Sequence, residues 1–241
     1  MKKIVLILMM LLSAFGNILN EADKAYAKKE YKTAIKLLQT ACDKNMAVGC
    51  HNLALMYLNG NGVEINLEKS ALFFQKACDK KIAQSCQNLG LLYEKGLGVE
   101  QNYFKALEMY KKSCNDKKLV GCENLAYMYE NGLGVRQDFK KANEIYTKMC
   151  DKNNSKGCYR LYEIYMEAKF IEKDTNKAIE FLKKSCLGGK SDACREMGVI
   201  YTEGVFIKQN FAEAKEYFGK ACDLEDMKGC ESYKLLNESG F

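Results

Sequence analysis

Cysteine is the residue of this chain with the clearest chemical potential, because a thiol can form a disulfide, bind a metal or act as a nucleophile. The chain has 12 cysteines in 241 residues. Six of them recur every 36 residues, at Cys42, Cys78, Cys114, Cys150, Cys186 and Cys222. The other six each follow eight residues later, at Cys50, Cys86, Cys122, Cys158, Cys194 and Cys230. A fixed period of this length is typical of a repeat array in which each unit packs on its neighbours.

The start of the chain has the pattern of a secretory signal peptide, residues 1–16. Two lysines precede an apolar run over residues 4–12, and residues 14–16 provide a small-residue cleavage site before Asn17. A helix needs about 20 apolar residues to span a bilayer, so this run is too short to be an anchor. We therefore expect a protein exported to the periplasm or secreted, with no membrane span after signal cleavage.

Each 36-residue unit predicts two antiparallel α-helices. In residues 85–114, Cys86, Leu89 and Tyr93 recur at helical spacing, and Gly96 then ends the first helix. The second helix begins after a residue suited to capping the free N–H groups of its first turn. This capping position is occupied in successive units by Asn66, Asn102, Asp138, Asp174 and Asn210. The predicted fold is all-α, an α/α superhelix (solenoid) of helical hairpins.

The predicted boundaries follow from the same period. One repeat domain covers residues 17–241. It contains a first hairpin at about 20–45, units at about 47–80, 83–116, 119–152, 155–188 and 191–224, and a C-terminal capping helix at 227–237 that closes the core. Three hairpin turns depart from the pattern: that of the first hairpin is five residues shorter, that of the unit at 155–188 has Ala168 and Phe170 in place of two glycines, and that of the unit at 191–224 has Phe206 in place of one.

Export favours disulfides over a metal site as the role of the cysteines. Zinc sites place cysteines two to four residues apart, and the chain has one histidine, His51. Two pairings are open. Joining Cys50 to Cys78 within a hairpin leaves Cys42 and Cys230 without partners, whereas joining cysteines eight residues apart uses all of them and is favoured. The favoured bridges are Cys42–Cys50, Cys78–Cys86, Cys114–Cys122, Cys150–Cys158, Cys186–Cys194 and Cys222–Cys230. No metal and no cofactor is expected.

Catalytic motifs are hard to find in this chain. No serine has a lysine three residues later, as the S-x-x-K motif of serine β-lactamases requires. One histidine cannot supply the ligand set of a zinc hydrolase. His51 follows Cys50, but a disulfide-bonded Cys50 is not a nucleophile. No catalytic residue is assigned.

The repeat resembles a known family. The clearest unit, NLGLLYEKGLGVEQNYFKALEMYKKSC, is similar to a Sel1-like repeat, which is related to the tetratricopeptide repeat. With two cysteines per unit, the chain resembles the Helicobacter cysteine-rich proteins over residues 21–236. This resemblance implies a scaffold of disulfide-linked hairpins that binds a protein or peptide. Several family members carry a β-lactamase or penicillin-binding label, so the alternative function is β-lactam binding or weak β-lactam hydrolysis.

The first helices of the hairpins offer a candidate peptide-binding surface in the concave groove. Asparagine side chains can both donate to and accept from a peptide backbone. The predicted ladder consists of Asn52, Asn88 and Asn124, with Asn59, Lys95 and Asn131 two turns later and Arg160 and Glu196 as charged counterparts in the fourth and fifth units. Met56, Leu92 and Met128 are either apolar rungs of this ladder or buried between helices.

The expected partner is therefore a protein or peptide, with a β-lactam or a cell-wall peptide as the alternative. The net charge of +6 comes from lysines spread over every repeat, without an arginine-rich run. That distribution indicates a solvated surface and not nucleic-acid binding. The protein is expected to be a monomer.

Overall fold

A computed structural model describes residues 17–115, 118–168 and 172–241. The predicted signal peptide, residues 1–16, and Phe170 lie outside these ranges. Regular structure in the described ranges is helical, with one isolated bridge between Asn115 and Lys118. The helices are α1 (17–27), α2 (Tyr31–Asp43), α3 (Ala47–Asn59), α4 (Leu67–Asp79), α5 (Ala83–Lys95), α6 (Tyr103–Ser113), α7 (Cys122–Asn131), α8 (Phe139–Asp151), α9 (Ser155–Glu167), α10 (Thr175–Leu187), α11 (Ser191–Glu203), α12 (Phe211–Asp223) and α13 (Met227–Glu238). The predicted all-α repeat fold is confirmed.

The chain forms two compact units. The first ends at Met128 and also includes Gly132–Arg136, while the second consists of Tyr129–Asn131 and Gln137–Phe241. Each unit is described by itself below. The continuity of one repeat domain from residue 17 to 241 stays a prediction.

Both units are built from helices whose apolar stripes face each other. In the first unit, Leu53 of α3, Phe74 of α4 and Leu89 of α5 are fully buried in one core. In the second unit, Leu182 of α10 and Met197 of α11 have the same role. Burial of these apolar side chains is the main driving force for hairpin packing, at roughly 1.5–3 kcal/mol for each large side chain.

The helix ends follow the sequence prediction. Each of the five capping side chains accepts a hydrogen bond from the backbone N–H three residues later. Glycine ends four of the first helices in the left-handed conformation, at Gly60, Gly96, Gly132 and Gly204. Ala168 adopts the same conformation at the end of α9, with φ of 52°, which costs an L-residue about 1–2 kcal/mol. Phe206, in the turn between α11 and α12, is 40% exposed.

Consecutive hairpins are joined by disulfides. The bonded pairs are Cys42–Cys50, Cys78–Cys86, Cys114–Cys122, Cys150–Cys158, Cys186–Cys194 and Cys222–Cys230. Cys50 is thus bonded to Cys42 and not to Cys78. By the chain-entropy account, a loop this short contributes roughly 2.5 kcal/mol per bridge to the free energy of unfolding.

The bridges require an unusually close approach of two helices. The residue before the second cysteine is small in every unit: Gly49, Ser85, Gly121, Gly157, Ala193 and Gly229. A Cβ on Gly157 would lie 2.4 Å from the Cβ of Met149, and one on Gly49 would lie 2.6 Å from the Cβ of Ala41. A small residue at this position therefore lets the paired cysteines come within bonding range.

The last helix, α13, leaves apolar surface uncovered. It packs on α12 beside the Cys222–Cys230 bridge, yet Gly229 is its one fully buried residue. Tyr233 and Leu235 are exposed. The helix therefore closes the core less completely than a capping helix was predicted to do.

Gly157→Val tests the close approach at the bridges. We expect this change to lower the free energy of unfolding by about 2 kcal/mol, because the added side chain overpacks the α8–α9 contact beside Cys158. Urea unfolding followed by circular dichroism measures the effect. Lys183→Val, at an exposed helical position of the same unit, is the control for introducing a β-branched residue. Equal losses in the two variants would show that the α8–α9 contact tolerates a side chain.

Candidate functional site

The first unit presents three equivalent asparagines on the first helices of successive hairpins. Asn52, Asn88 and Asn124 lie on α3, α5 and α7, and each is half-buried. A hydrogen bond of 2.8 Å between His51 Nδ1 and Ser85 Oγ joins α3 directly to α5. The asparagines thus occupy the same repeat position on the first helices of three successive hairpins, and the binding ladder stays a prediction.

The three asparagines differ in what they contact. The hydroxyl of Tyr110 donates to Glu94 Oε2 at 2.6 Å and also shares a hydrogen bond with Asn124. Burial of Tyr110 and its bond to Glu94 raise the pKa of that hydroxyl well above its usual value. Asn124 is therefore engaged by its own unit. The side chains of Asn52 and Asn88 have no hydrogen-bond partner among the described residues, so their amides are available to a ligand.

Of the two alternatives for the apolar positions of the ladder, the structure has burial between helices. Met56, Leu92 and Met128 are at most 3% exposed and belong to the core. The exposed apolar side chains lie one residue earlier, at Leu55, Leu91 and Tyr127, and we call these three residues the apolar row. Leu91 is 39% and Tyr127 is 48% exposed, and Leu55 is half-buried. Residues three apart share a helix face, so each member of the row stands next to one asparagine.

The sequence held a signal for the apolar row. Leu55, Leu91 and Tyr127 repeat at 36-residue spacing, as the asparagines do. In a helix, the residues three and four positions after an asparagine both lie close to the asparagine. The 36-residue period does not by itself say which of these two residues is buried.

An open pocket of about 290 Å³ adjoins the apolar row at Leu55. We call it the end pocket; α1, α2 and α3 form it, with Asn52 and Asn59 among its lining residues. Its floor includes the buried side chains of Leu38 and Met56. A pocket of this size is at the lower limit of ligand sites and accommodates one or two side chains.

Lys95 and Asn131 occupy the positions equivalent to Asn59 and are exposed at the ends of α5 and α7. Lys95 lies in the first unit and Asn131 in the second. Of these three predicted residues, the structure places Asn59 in a pocket.

Arg160 is not available to a ligand as predicted, because its charge is used within the second unit. The guanidinium donates to both carboxylate oxygens of Glu130, at 3.0 and 2.8 Å, and forms an ion pair with Glu163. Glu130 is only 3% exposed and also accepts from the hydroxyl of Tyr146. Burial raises the pKa of Tyr146 to about 12. A buried carboxylate requires such partners, so the charge of Arg160 serves the structure of the second unit.

Glu196 is also engaged. Its Oε1 accepts from the hydroxyl of Tyr159. Burial and the charge of Glu196 together raise the pKa of Tyr162 to about 12. Its other carboxylate oxygen, Oε2, is buried and has no hydrogen-bond partner among the described residues. The ligand-binding role of Glu196 therefore stays a prediction.

His51 and Ser85 have the separation of a base and its nucleophile, but they cannot act on a substrate. Ser85 has no exposed surface, and burial lowers the pKa of His51, which keeps its ring neutral near pH 7. Phe74 packs beside the imidazole ring at 5.8 Å. Cys50, next in the chain, is in a disulfide. His51 is a packing residue that joins two helices.

Arg160→Met tests the role of this ion pair. We expect it to lower the free energy of unfolding by about 3 kcal/mol, because it leaves Glu130 buried without its cation. Urea unfolding at pH 7 measures the loss, and Arg136→Met, which removes an exposed arginine, is the matched control. Adding Glu130→Leu to Arg160→Met should recover much of the loss. A loss no greater than that of the control would contradict a structural role for Arg160.

Comparison with known proteins agrees with this architecture. Short segments of this chain match two proteins of Helicobacter pylori strain J99, HcpC and HcpD. Both are named as beta-lactamases on a provisional basis. HcpC is 41% identical over 46 residues, which is 19% of this chain and 16% of HcpC. HcpD is 33% identical over 76 residues, which is 28% of this chain and 25% of HcpD. The matches thus span a quarter or less of each relative's length.

Solved structures show the same fold. A Sel1 repeat protein from Oxalobacter formigenes superposes with a TM-score of 0.76 at 20% identity, over 88% of this chain and 86% of that one. The protective antigen c5321 of uropathogenic Escherichia coli, described as displaying an SLR fold, superposes with a TM-score of 0.53 at 25% identity, over 84% of this chain and 51% of that one.

The family assignment comes from the repeats themselves. The model of the Sel1 repeat matches residues 23–46, 47–81, 83–117, 120–154, 155–190 and 191–226. These six segments account for most of the sequence; the first begins within α1, and each of the other five contains both helices of one hairpin. The chain belongs to the Sel1 repeat family.

Proposed function

We propose that this protein is an exported, disulfide-linked scaffold that binds a peptide or an extended segment of a protein on its first unit. The observation that carries the proposal is the apolar row, Leu55, Leu91 and Tyr127. Exposed apolar side chains aligned on neighbouring helices mark an interaction surface more often than scattered ones do. The free amides of Asn52 and Asn88 beside the row supply hydrogen bonds for a peptide backbone.

The spacing of the helices indicates what kind of peptide would fit. Packed helices lie about 8–10 Å apart, so successive members of the apolar row are separated by roughly that distance. Three residues of a polyproline II segment advance about 9 Å and return to the same side of the chain. The proposed ligand therefore has an apolar side chain at every third residue.

The alternative function, binding or slow hydrolysis of a β-lactam, has less support. Ser85 is the serine next to His51 and is fully buried. The side chains that line the end pocket include the carboxylate of Asp23 and no lysine or arginine. A β-lactam antibiotic carries a carboxylate of its own, which Asp23 would repel.

Export is part of the proposal. Every cysteine is in a disulfide, and such bonds persist outside the cytosol. The predicted signal peptide leads to the same expectation, in either the periplasm or the medium. Within the described ranges, no helix has the length and apolar character needed to cross a bilayer.

Leu91→Ser tests the proposed function. The probe is a pool of synthetic decapeptides, randomised at every position and immobilised through their C-termini. We expect the wild-type protein, with its disulfides formed, to select sequences that have apolar residues at every third position. Leu91→Ser should lower the affinity for the selected peptides about tenfold, because the serine buries less apolar surface on binding.

Leu187→Ser is the matched control, because Leu187 is 66% exposed and lies in the second unit. It should leave peptide affinity unchanged, and thermal unfolding of both variants verifies that each is folded. Equal weakening by the two variants, or a selected set without the three-residue period, would contradict the proposal.

A further inference from the structure

The end pocket has a chemical character that the apolar row lacks. Among the residues that line it, Asp23 is the one charged residue, and its carboxylate is negative. Asp23 is exposed on α1 and has no hydrogen-bond or ion-pair partner among the described residues. The pocket therefore attracts a positive group and repels a negative one.

The polar atoms around the pocket suit a peptide end. Asn52 and Asn59 line it from α3. On the opposite rim, Asn61 Nδ2 donates to the hydroxyl of Tyr26 at 3.0 Å. This bond leaves the hydroxyl hydrogen of Tyr26 and the carbonyl oxygen of Asn61 for a ligand. Donors and acceptors thus surround an apolar floor formed by Leu38 and Met56.

The apolar row ends at this pocket. Tyr26 of α1 corresponds to Tyr57 of α3, since each lies in the last turn of the first helix of its hairpin. Leu55 stands two residues before Tyr57, and the residue two before Tyr26 is Lys24, which is charged and exposed. The row therefore does not continue onto α1, and an apolar peptide that follows it reaches its last apolar contact at Leu55.

From these observations, and resting on the proposed function, we propose that the end pocket binds the free N-terminus of the peptide. The α-ammonium group pairs with Asp23, and the first side chain, which is aliphatic, lies on Leu38 and Met56. The first peptide groups bond to Asn52 and Asn59. A C-terminal carboxylate is excluded from this position by Asp23.

The test compares two forms of one peptide on two forms of the protein. The strongest-binding decapeptide of the synthetic pool is prepared with a free α-amine and with an acetylated one. For the wild-type protein, we expect acetylation to weaken binding about threefold to fivefold, the range of an exposed ion pair. For Asp23→Asn, acetylation should make no difference. The wild-type preference should also shrink at high ionic strength.

Glu68→Gln is the matched control, because it removes an exposed carboxylate of the first unit that does not line the pocket. This variant should keep the full preference for the free amine. Equal affinity of both peptide forms for the wild-type protein, or the same preference in Asp23→Asn, would overturn the assignment of the N-terminus to the pocket.

The outcomes separate the two proposals. If acetylation has no effect while Leu91→Ser still weakens binding, the peptide-binding function holds and the N-terminal assignment is wrong. A pool in which no peptide binds the wild-type protein overturns both.

Discussion

The close approach of consecutive helices at each cysteine pair is the constraint on which the rest of the structure depends. The Cα atoms of bonded cysteines are 4.5 to 4.7 Å apart in all six pairs. That distance requires a small residue beside the second cysteine, because a larger side chain would meet the preceding helix. Within the first unit, the same joint recurs at Cys42–Cys50, Cys78–Cys86 and Cys114–Cys122. Equivalent positions on successive hairpins therefore align, and this alignment is what turns Leu55, Leu91 and Tyr127 into a row.

The two units use the same position of the repeat in different ways. In the first unit it holds neutral asparagines, and those of α3 and α5 keep their amides free. In the second it holds Arg160 and Glu196, which bond to Glu130 and Tyr159 respectively. A charge placed in a half-buried position needs a partner, and here the partner is supplied by the protein itself. The ligand-binding proposal is accordingly confined to the first unit.

The local features of the fold could be predicted from the sequence, whereas the side-chain partners could not. Helix periodicity, capping asparagines and aspartates, and terminal glycines depend on residues a few positions apart, and the structure has them where the pattern predicts. The apolar row lies one residue before the buried Met56, Leu92 and Met128, since only packing between helices decides which of two adjacent apolar positions is buried. The bond between Arg160 and Glu130 joins residues 30 apart in the sequence. Nothing in the repeat pattern identifies that pairing, and the end pocket likewise depends on three helices meeting.

Leucine methyl resonances give the most direct test of peptide binding on the first unit. The protein would be labelled at its leucine methyl groups, and spectra recorded during titration with the strongest-binding decapeptide of the synthetic pool. The account predicts that the Leu55 and Leu91 signals shift with peptide concentration, while Leu72 and Leu187, which are more exposed than Leu91, do not. Shifts confined to Leu187 or Leu235, or no shift at Leu55 and Leu91 under saturating peptide, would contradict it.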